Sequence, residues 1–94
     1  MNEYQFVEEE KRIVVNDHNE NEVGEITFIQ SGKNTIIIDH TGVKESHRGQ
    51  GLAEQLVLKV VNKAKREQLK IIPLCPFAKK EFDLKREYSD VLHK

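Results

Sequence analysis

The sequence predicts a mixed α/β domain, in which antiparallel N-terminal strands lead into a strand-helix-strand crossover and a short C-terminal helical segment. Three observations carry that expectation. β-branched and aromatic residues cluster between polar turns as far as Val43; apolar residues then recur every fourth position after Gly51; and a second β-branched run, Ile71-Ile72, follows. With 94 residues there is room for one core and one shallow site, so residues 1–94 are expected to form a single domain.

Tyr4 to Glu8 and Arg12 to Val15 read as two short strands separated by the charged stretch Glu9-Glu10-Lys11. Asp17-His18-Asn19-Glu20-Asn21 then supplies turn formers, whose side chains bond nearby backbone. In a third strand, Val23 to Gln30, Ile26 and Phe28 share one face while Glu25 and Thr27 take the other; Ser31-Gly32-Lys33-Asn34 turns the chain back. The fourth strand, Thr35 to Val43, holds three consecutive isoleucines, which suits a central strand covered on both faces.

After Gly51 the period changes. Leu52, Leu56, Val60 and Ala64, widened by Val57 and Val61, form the apolar stripe of an amphipathic helix that ends near Gln68. Lys63, Lys65 and Arg66 fall in its last turns, where cations complement the helix dipole. Lys70 to Leu74 reads as a fifth strand, and the strand-helix-strand order implies a right-handed crossover with parallel pairing. Pro73 cannot donate to a ladder, so that strand is expected at an edge or parting from a neighbour. Pro76 suits the first turn of a following helix carrying Phe77, Ala78 and Phe82; Tyr88, Val91 and Leu92 suggest a last helical turn.

The composition narrows the function. Fifteen Lys and Arg against 16 Asp and Glu give no global positive field, so nucleic acid is not an expected partner. The single Cys75 cannot form an internal disulfide, and Met1-Asn2-Glu3 lacks the basic then apolar pattern of a secretory signal. No apolar run approaches the roughly 20 residues that cross a bilayer. A cytoplasmic chain without a membrane partner is the expectation. One Cys and scattered His give no metal-ligand spacing.

The informative stretch is Arg48-Gly49-Gln50-Gly51-Leu52-Ala53, between the fourth strand and the long helix. Two glycines let backbone approach a bulky anion, and the free N–H groups of a helix's first turn favour negative charge. A Gly-x-Gly turn alone also fits an ordinary strand-to-helix connection. The dinucleotide fingerprint needs a third glycine and a later acidic residue, and the phosphate loop needs Gly-Lys-Ser/Thr, so neither applies.

In its wider pattern the stretch resembles the acetyl-CoA signature of the GNAT acetyltransferase superfamily, Gln/Arg-x-x-Gly-x-Gly/Ala, through Arg48, Gly51 and Ala53. Asp39-His40-Thr41-Gly42-Val43, Pro73-Leu74-Cys75-Pro76-Phe77 and Glu87-Tyr88 look like the short branch of that family. The resemblance implies a minimal GNAT-like fold whose fourth and fifth strands splay apart, with acetyl-CoA or coenzyme A in the opening. It implies cofactor contacts from Thr41, Val43, Arg48, Gly49, Gln50, Gly51, Leu52 and Ala53, and transfer of an acetyl group to an unidentified amine. Relative to the full-length family, two helices after the first strand and the last two strands are missing. A partner protein or second subunit is one way to complete the acceptor side.

Transfer from a thioester to an amine needs a base, since a lysine-type amine near pKa ~10.4 is mostly protonated at neutral pH, and a proton for the departing thiolate. Where many relatives carry a donor tyrosine this chain has Phe82, which leaves Tyr88 as candidate donor or as an aromatic anchor. Cys75, after the fifth strand and before Pro76, is expected to face the opening at a helix N-terminus as base or acyl acceptor; a small buried hydrophobe is the other reading. His40, near the end of the fourth strand, is a candidate base or a packed sheet histidine. Lys44, His47 and Arg48 are placed to meet phosphates, whereas Glu8-Glu9-Glu10 and Lys79-Lys80 read as solvated faces. The alternative to an N-acetyltransferase is a coenzyme A binding module, non-catalytic or self-acylating at Cys75; a third class is an interaction protein whose glycine turn holds no ligand.

Overall fold

A computed structural model of the chain describes residues 4–93; the Met1-Asn2-Glu3 stretch weighed for a secretory signal lies outside them. The strands are β1 (Gln5–Glu8), β2 (Arg12–Asn16), β3 (Glu22–Ser31), β4 (Thr35–Val43) and β5 (Lys70–Pro73), and the helices α1 (Leu52–Glu67) and α2 (Pro76–Leu84). Two 3-10 segments, Glu45–His47 and Arg86–Val91, complete the described chain. One mixed sheet runs β1-β2-β3-β4-β5, antiparallel up to β4 and parallel between β4 and β5. Its turns follow from local chemistry: Asp17 Oδ1 accepts the N–H groups of Asn19 and Asn21, both at 2.9 Å, and so closes the β2–β3 connection.

Packing explains α1. The six residues of its predicted stripe, Leu52, Leu56, Val57, Val60, Val61 and Ala64, are all buried, against a sheet face that includes Ile13, Val15, Ile26, Phe28, Ile36 and Ile38. Each such fully buried Val, Leu or Ile is worth about 1.5–3 kcal/mol of burial. α2 and the Arg86–Val91 segment add Ala78, Phe82, Tyr88 and Val91 to the same cluster. Both helices therefore share one side of the sheet.

This corrects the reading of β4 as a central strand covered on both faces. β3 holds the middle of the sheet, and β4 lies one place from the edge. Ile36 and Ile38 are buried, but Ile37 is only half-buried, in register with Ile29 (53% exposed) on one side and Ile72 on the other. Three isoleucines in a row across β3, β4 and β5 shield one another on an otherwise open face.

Two irregularities shape the site. The β3–β4 register jumps from Thr27↔His40 to Phe28↔Ile38, so Asp39 is an extra residue in β4. Asp39 lies on the open face, accepting from Thr27 Oγ1 at 2.6 Å; His40 lies near Glu25 there, at 3.9 Å, and Thr41 returns to the helix side. The second irregularity is the end of β5. Its pairing with β4 stops at Ile38↔Pro73, where Leu74 and Cys75 both donate N–H to the Ile38 carbonyl at 3.0 Å and the chain turns into α2. Beyond that point Asp39–Val43 has no strand on the β5 side among the described residues, which is the splay that the proline suggests. The outer edge of β5 carries the bridge Ile71↔Leu92.

Candidate functional site

The loop after β4 is built for a backbone that faces outward. Glu45–His47 makes one tight turn, and then Gly49 (φ 83°) and Gly51 (φ 76°) take the left-handed conformation that side chains disfavour. Gly51 is the N-cap of α1 and offers no side chain; the first helical bond is Gln55 N–H to Gly51 O at 3.1 Å. The N–H groups of Leu52, Ala53 and Glu54 precede the ladder and are left for an outside acceptor, at the positive end of a 16-residue helix. A Cβ at either glycine would meet no atom within 4 Å. What the glycines leave clear is space in front of the helix.

That space is a cleft of about 330 Å³. Thr41, Gly42 and Val43, on the stretch of β4 that β5 leaves unpaired, form one wall; His47, Arg48, Gly49 and Gly51 with the first turn of α1 form another, and Phe77 of α2 also lines it. Arg48 Nε donates to the Val43 carbonyl at 3.2 Å, which anchors an exposed guanidinium over the mouth. Thr41, Val43, Arg48, Gly49, Gly51, Leu52 and Ala53 all line this one cleft. Gln50 does not: its side chain turns away to accept from the Tyr4 hydroxyl at 3.1 Å. Lys44 and His40 line a different depression, beside Glu22 and Glu25.

The catalytic candidates divide. Cys75 is the N-cap of α2 and is only 7% exposed, so the sulfur expected to face the opening is a member of the core. Its Sγ nonetheless lies 3.5 Å from Oγ1 of Thr41, which lines the cleft. Burial pushes the Cys75 thiol up, but the Thr41 hydroxyl and the α2 amides of Ala78 and Phe77 outweigh it and hold the thiol below its ordinary range. Tyr88 is 4% exposed and packs its ring at 5.4 Å from that of Phe82; burial pushes its hydroxyl up. It is the aromatic anchor of the C-terminal segment. His40 is turned by the extra residue in β4 to the face opposite Thr41 and Cys75.

A second depression of similar volume lies near the C-terminal end of α1, lined by Phe28, Ile36, Lys63 and Glu67 among others. Lys63 is committed there to Glu8 (3.1 Å) and Glu67 (3.0 Å), and no helix N-terminus opens onto it. Among the described residues no group of three or more His, Cys, Asp or Glu is placed to hold a metal ion, and no helix is long and apolar enough to cross a membrane. One residue that touches the loop escapes sequence reasoning altogether. Tyr4 bonds His47 Nδ1 at 2.9 Å from 43 positions away, and nothing in the local pattern announces it.

A family profile described as GCN5-related N-acetyl-transferase matches residues 12–91. No curated protein sequence matches significantly. Among solved structures, a GCN5-like protein from Staphylococcus aureus is 35% identical, with a TM-score of 0.79 over 99% of this chain and 91% of its own. A GNAT family acetyltransferase from Elizabethkingia anophelis with acetyl-CoA bound is 22% identical, with a TM-score of 0.62 over 82% of this chain and 51% of its own. A GNAT family N-acetyltransferase from Escherichia coli in complex with CoA is 21% identical, with a TM-score of 0.62 over 83% of this chain and 44% of its own. At such identities the last two speak for the fold alone, and this chain spans about half their length. The profile match across the splayed sheet, the glycine loop and both helices decides the matter: the chain belongs to the GCN5-related N-acetyltransferase, or GNAT, family.

Proposed function

We propose that the chain binds acetyl-CoA with its pyrophosphate on Arg48 to Ala53 and its pantetheine arm along Thr41 to Val43, and transfers the acetyl group to an amine. The observation that carries this reading is a single cleft in which an uncapped helix N-terminus, two left-handed glycines and a free strand edge meet. Anion and extended amide chain are the two things such walls accept: the amides and dipole of α1 take phosphate, and the unpaired β4 backbone takes the amides of the arm. Arg48 at the mouth adds a fixed charge.

For the chemical step, a thioester laid along β4 would have Thr41 beside it, with Cys75 Sγ 3.5 Å behind the Thr41 hydroxyl. Free base and proton donor are sparse there, because Tyr88 is packed in the core and His40 is on the other face. Cys75 supports a second reading. As thiolate, its sulfur forms the new bond to the acetyl carbon while the bond to the coenzyme sulfur breaks, and the coenzyme leaves as thiolate; the acetyl group then stays on the protein or passes to an amine. A thiol held below its ordinary pKa beside the cleft favours this route, and its burial opposes it.

Incubation with acetyl-CoA, followed by free-thiol release over a panel of amines and by intact mass, separates the readings. Amine-dependent thiol release is the result expected of a transferase, and a stable added acetyl group lost in Cys75→Ala is that of a self-acylating module. Neither signal, together with no binding of coenzyme A, would reject both.

A further inference from the structure

Tyr4 precedes β1 in the chain, yet its side chain ends on the loop that follows β4. Its hydroxyl lies 2.9 Å from His47 Nδ1 and 3.1 Å from Gln50 Oε1, and its ring meets the imidazole edge-on at 5.8 Å between centroids. The amide oxygen of Gln50 only accepts, so the hydroxyl proton points there, and the bond to His47 is a donation from Nδ1–H to the hydroxyl oxygen. His47 is left with Nε2, on a ring that lines the cleft.

The loop's other bonds are few: Lys44 N–H to Val23 O (2.7 Å), His47 N–H to Lys44 O (2.9 Å), Arg48 N–H to Glu45 O (3.2 Å), Arg48 Nε to Val43 O (3.2 Å) and, where α1 begins, Gln55 N–H to Gly51 O (3.1 Å). Among the described residues no backbone acceptor holds the amides of Gly49, Gln50 or Gly51, and two of these three are glycines, the residue with most conformational freedom to lose. The Tyr4 hydroxyl spans this stretch, one bond at His47 before it and one at Gln50 within it.

We infer that Tyr4 is a positioning residue for the site: by fixing His47 and Gln50 it holds the glycine backbone between them in the shape that receives a phosphate-bearing ligand. The inference rests on the reading of the cleft as a coenzyme A site. A loop already ordered has less freedom to lose on binding, so the hydroxyl acts on affinity without touching the ligand.

The test is Tyr4→Phe, which keeps the ring on His47 and removes the hydroxyl, titrated with coenzyme A by calorimetry beside the parent. The same substitution is made in a His47→Ala, Gln50→Ala background. Kd is expected to rise about three- to tenfold in the parent background, as for loss of one or two hydrogen bonds, and by less than about twofold in the other, where the partners are gone. In the ligand-free protein the NMR order parameters of the Gly49, Gln50 and Gly51 amides should fall in Tyr4→Phe while those inside α1 are unchanged, a pattern that general destabilisation does not give. Equal affinity of parent and Tyr4→Phe, or the same loss in both backgrounds, overturns the inference while leaving the coenzyme A site standing. A parent chain that binds no coenzyme A rejects the site, and this role for Tyr4 with it.

Discussion

Gly51 carries two separate constraints, a φ of 76° and an empty volume in front of its α-carbon, and they make different predictions. Any side chain there costs about 1–2 kcal/mol for the left-handed conformation, which a folded domain survives. A glutamate also puts a carboxylate where the amides of Leu52 and Ala53 would meet phosphate. Gly51→Glu is therefore expected to keep the parent's circular dichroism, melt a few degrees lower and lose coenzyme A binding. Cys75 poses the opposite question, since its thiol is buried and yet stabilised as thiolate by Thr41 and the α2 amides. Alkylation of the native protein should be slow for want of access, with a pH-rate midpoint below that of an unstructured cysteine peptide, and coenzyme A should slow it further. A midpoint at or above that value would remove the thiolate, and with it the self-acylating route. Cys75→Ala should also cost about 1 kcal/mol by leaving a small void, which a sulfur standing free in the opening would not.

At the level of elements, α1 shows how far pattern reasoning reaches. Its start after Gly51 and its six buried residues follow from a period of about 3.6, because each turn must present the same face to one sheet. Its end was also legible, but the means of ending was not: Gln68 closes the helix in the left-handed conformation (φ 58°), a position that usually belongs to glycine. Gln68→Gly should thus stabilise the fold by roughly 0.5–1 kcal/mol, seen as a melting temperature a few degrees higher; a decrease would mean that its side chain makes a stabilising contact. The strands were legible in extent and pairing, yet misleading in which way residues point. Three consecutive isoleucines suggest two covered faces, whereas Ile37 is sheltered by Ile29 and Ile72 within its own layer. Strict alternation from Ile36 and Ile38 also sends His40 to the helix side, and the single extra residue at Asp39 reverses it. A bulge of one residue leaves no mark in composition, so the glycine loop before α1 could be read from the sequence and the direction of His40 could not. The Tyr4 bonds to His47 and Gln50 stayed hidden for a similar reason, being contacts of the finished fold between distant segments.

For the whole molecule, charge is arranged to tie β1 to the C-terminal end of α1. Glu8 of β1 meets Lys63 and Arg66 of α1 at 3.1 and 2.9 Å; desolvation pushes its pKa up, but hydrogen bonds from these two cations outweigh it and hold the carboxyl below its usual range. Glu67 is lowered chiefly by Lys63, and Asp17 by backbone N–H groups of its own turn. Each binds a proton less readily folded than unfolded, so each contributes stability that is present above the ordinary carboxylate pKa and is lost as pH falls through the lowered one. The melting temperature should be nearly flat from pH 7 to about 5 and decline below about 4; these groups lie at the surface, where solvent screens them, so the decline should be gradual. The central claim, that the cleft before α1 is a phosphate site, is tested most directly by calorimetric titration of the parent chain with coenzyme A and with adenosine at low and high salt. Coenzyme A should bind far more tightly than adenosine and lose affinity as salt rises, because its phosphates meet Arg48 and the α1 amides near solvent. Equal affinities for the two ligands, unmoved by salt, would contradict the account.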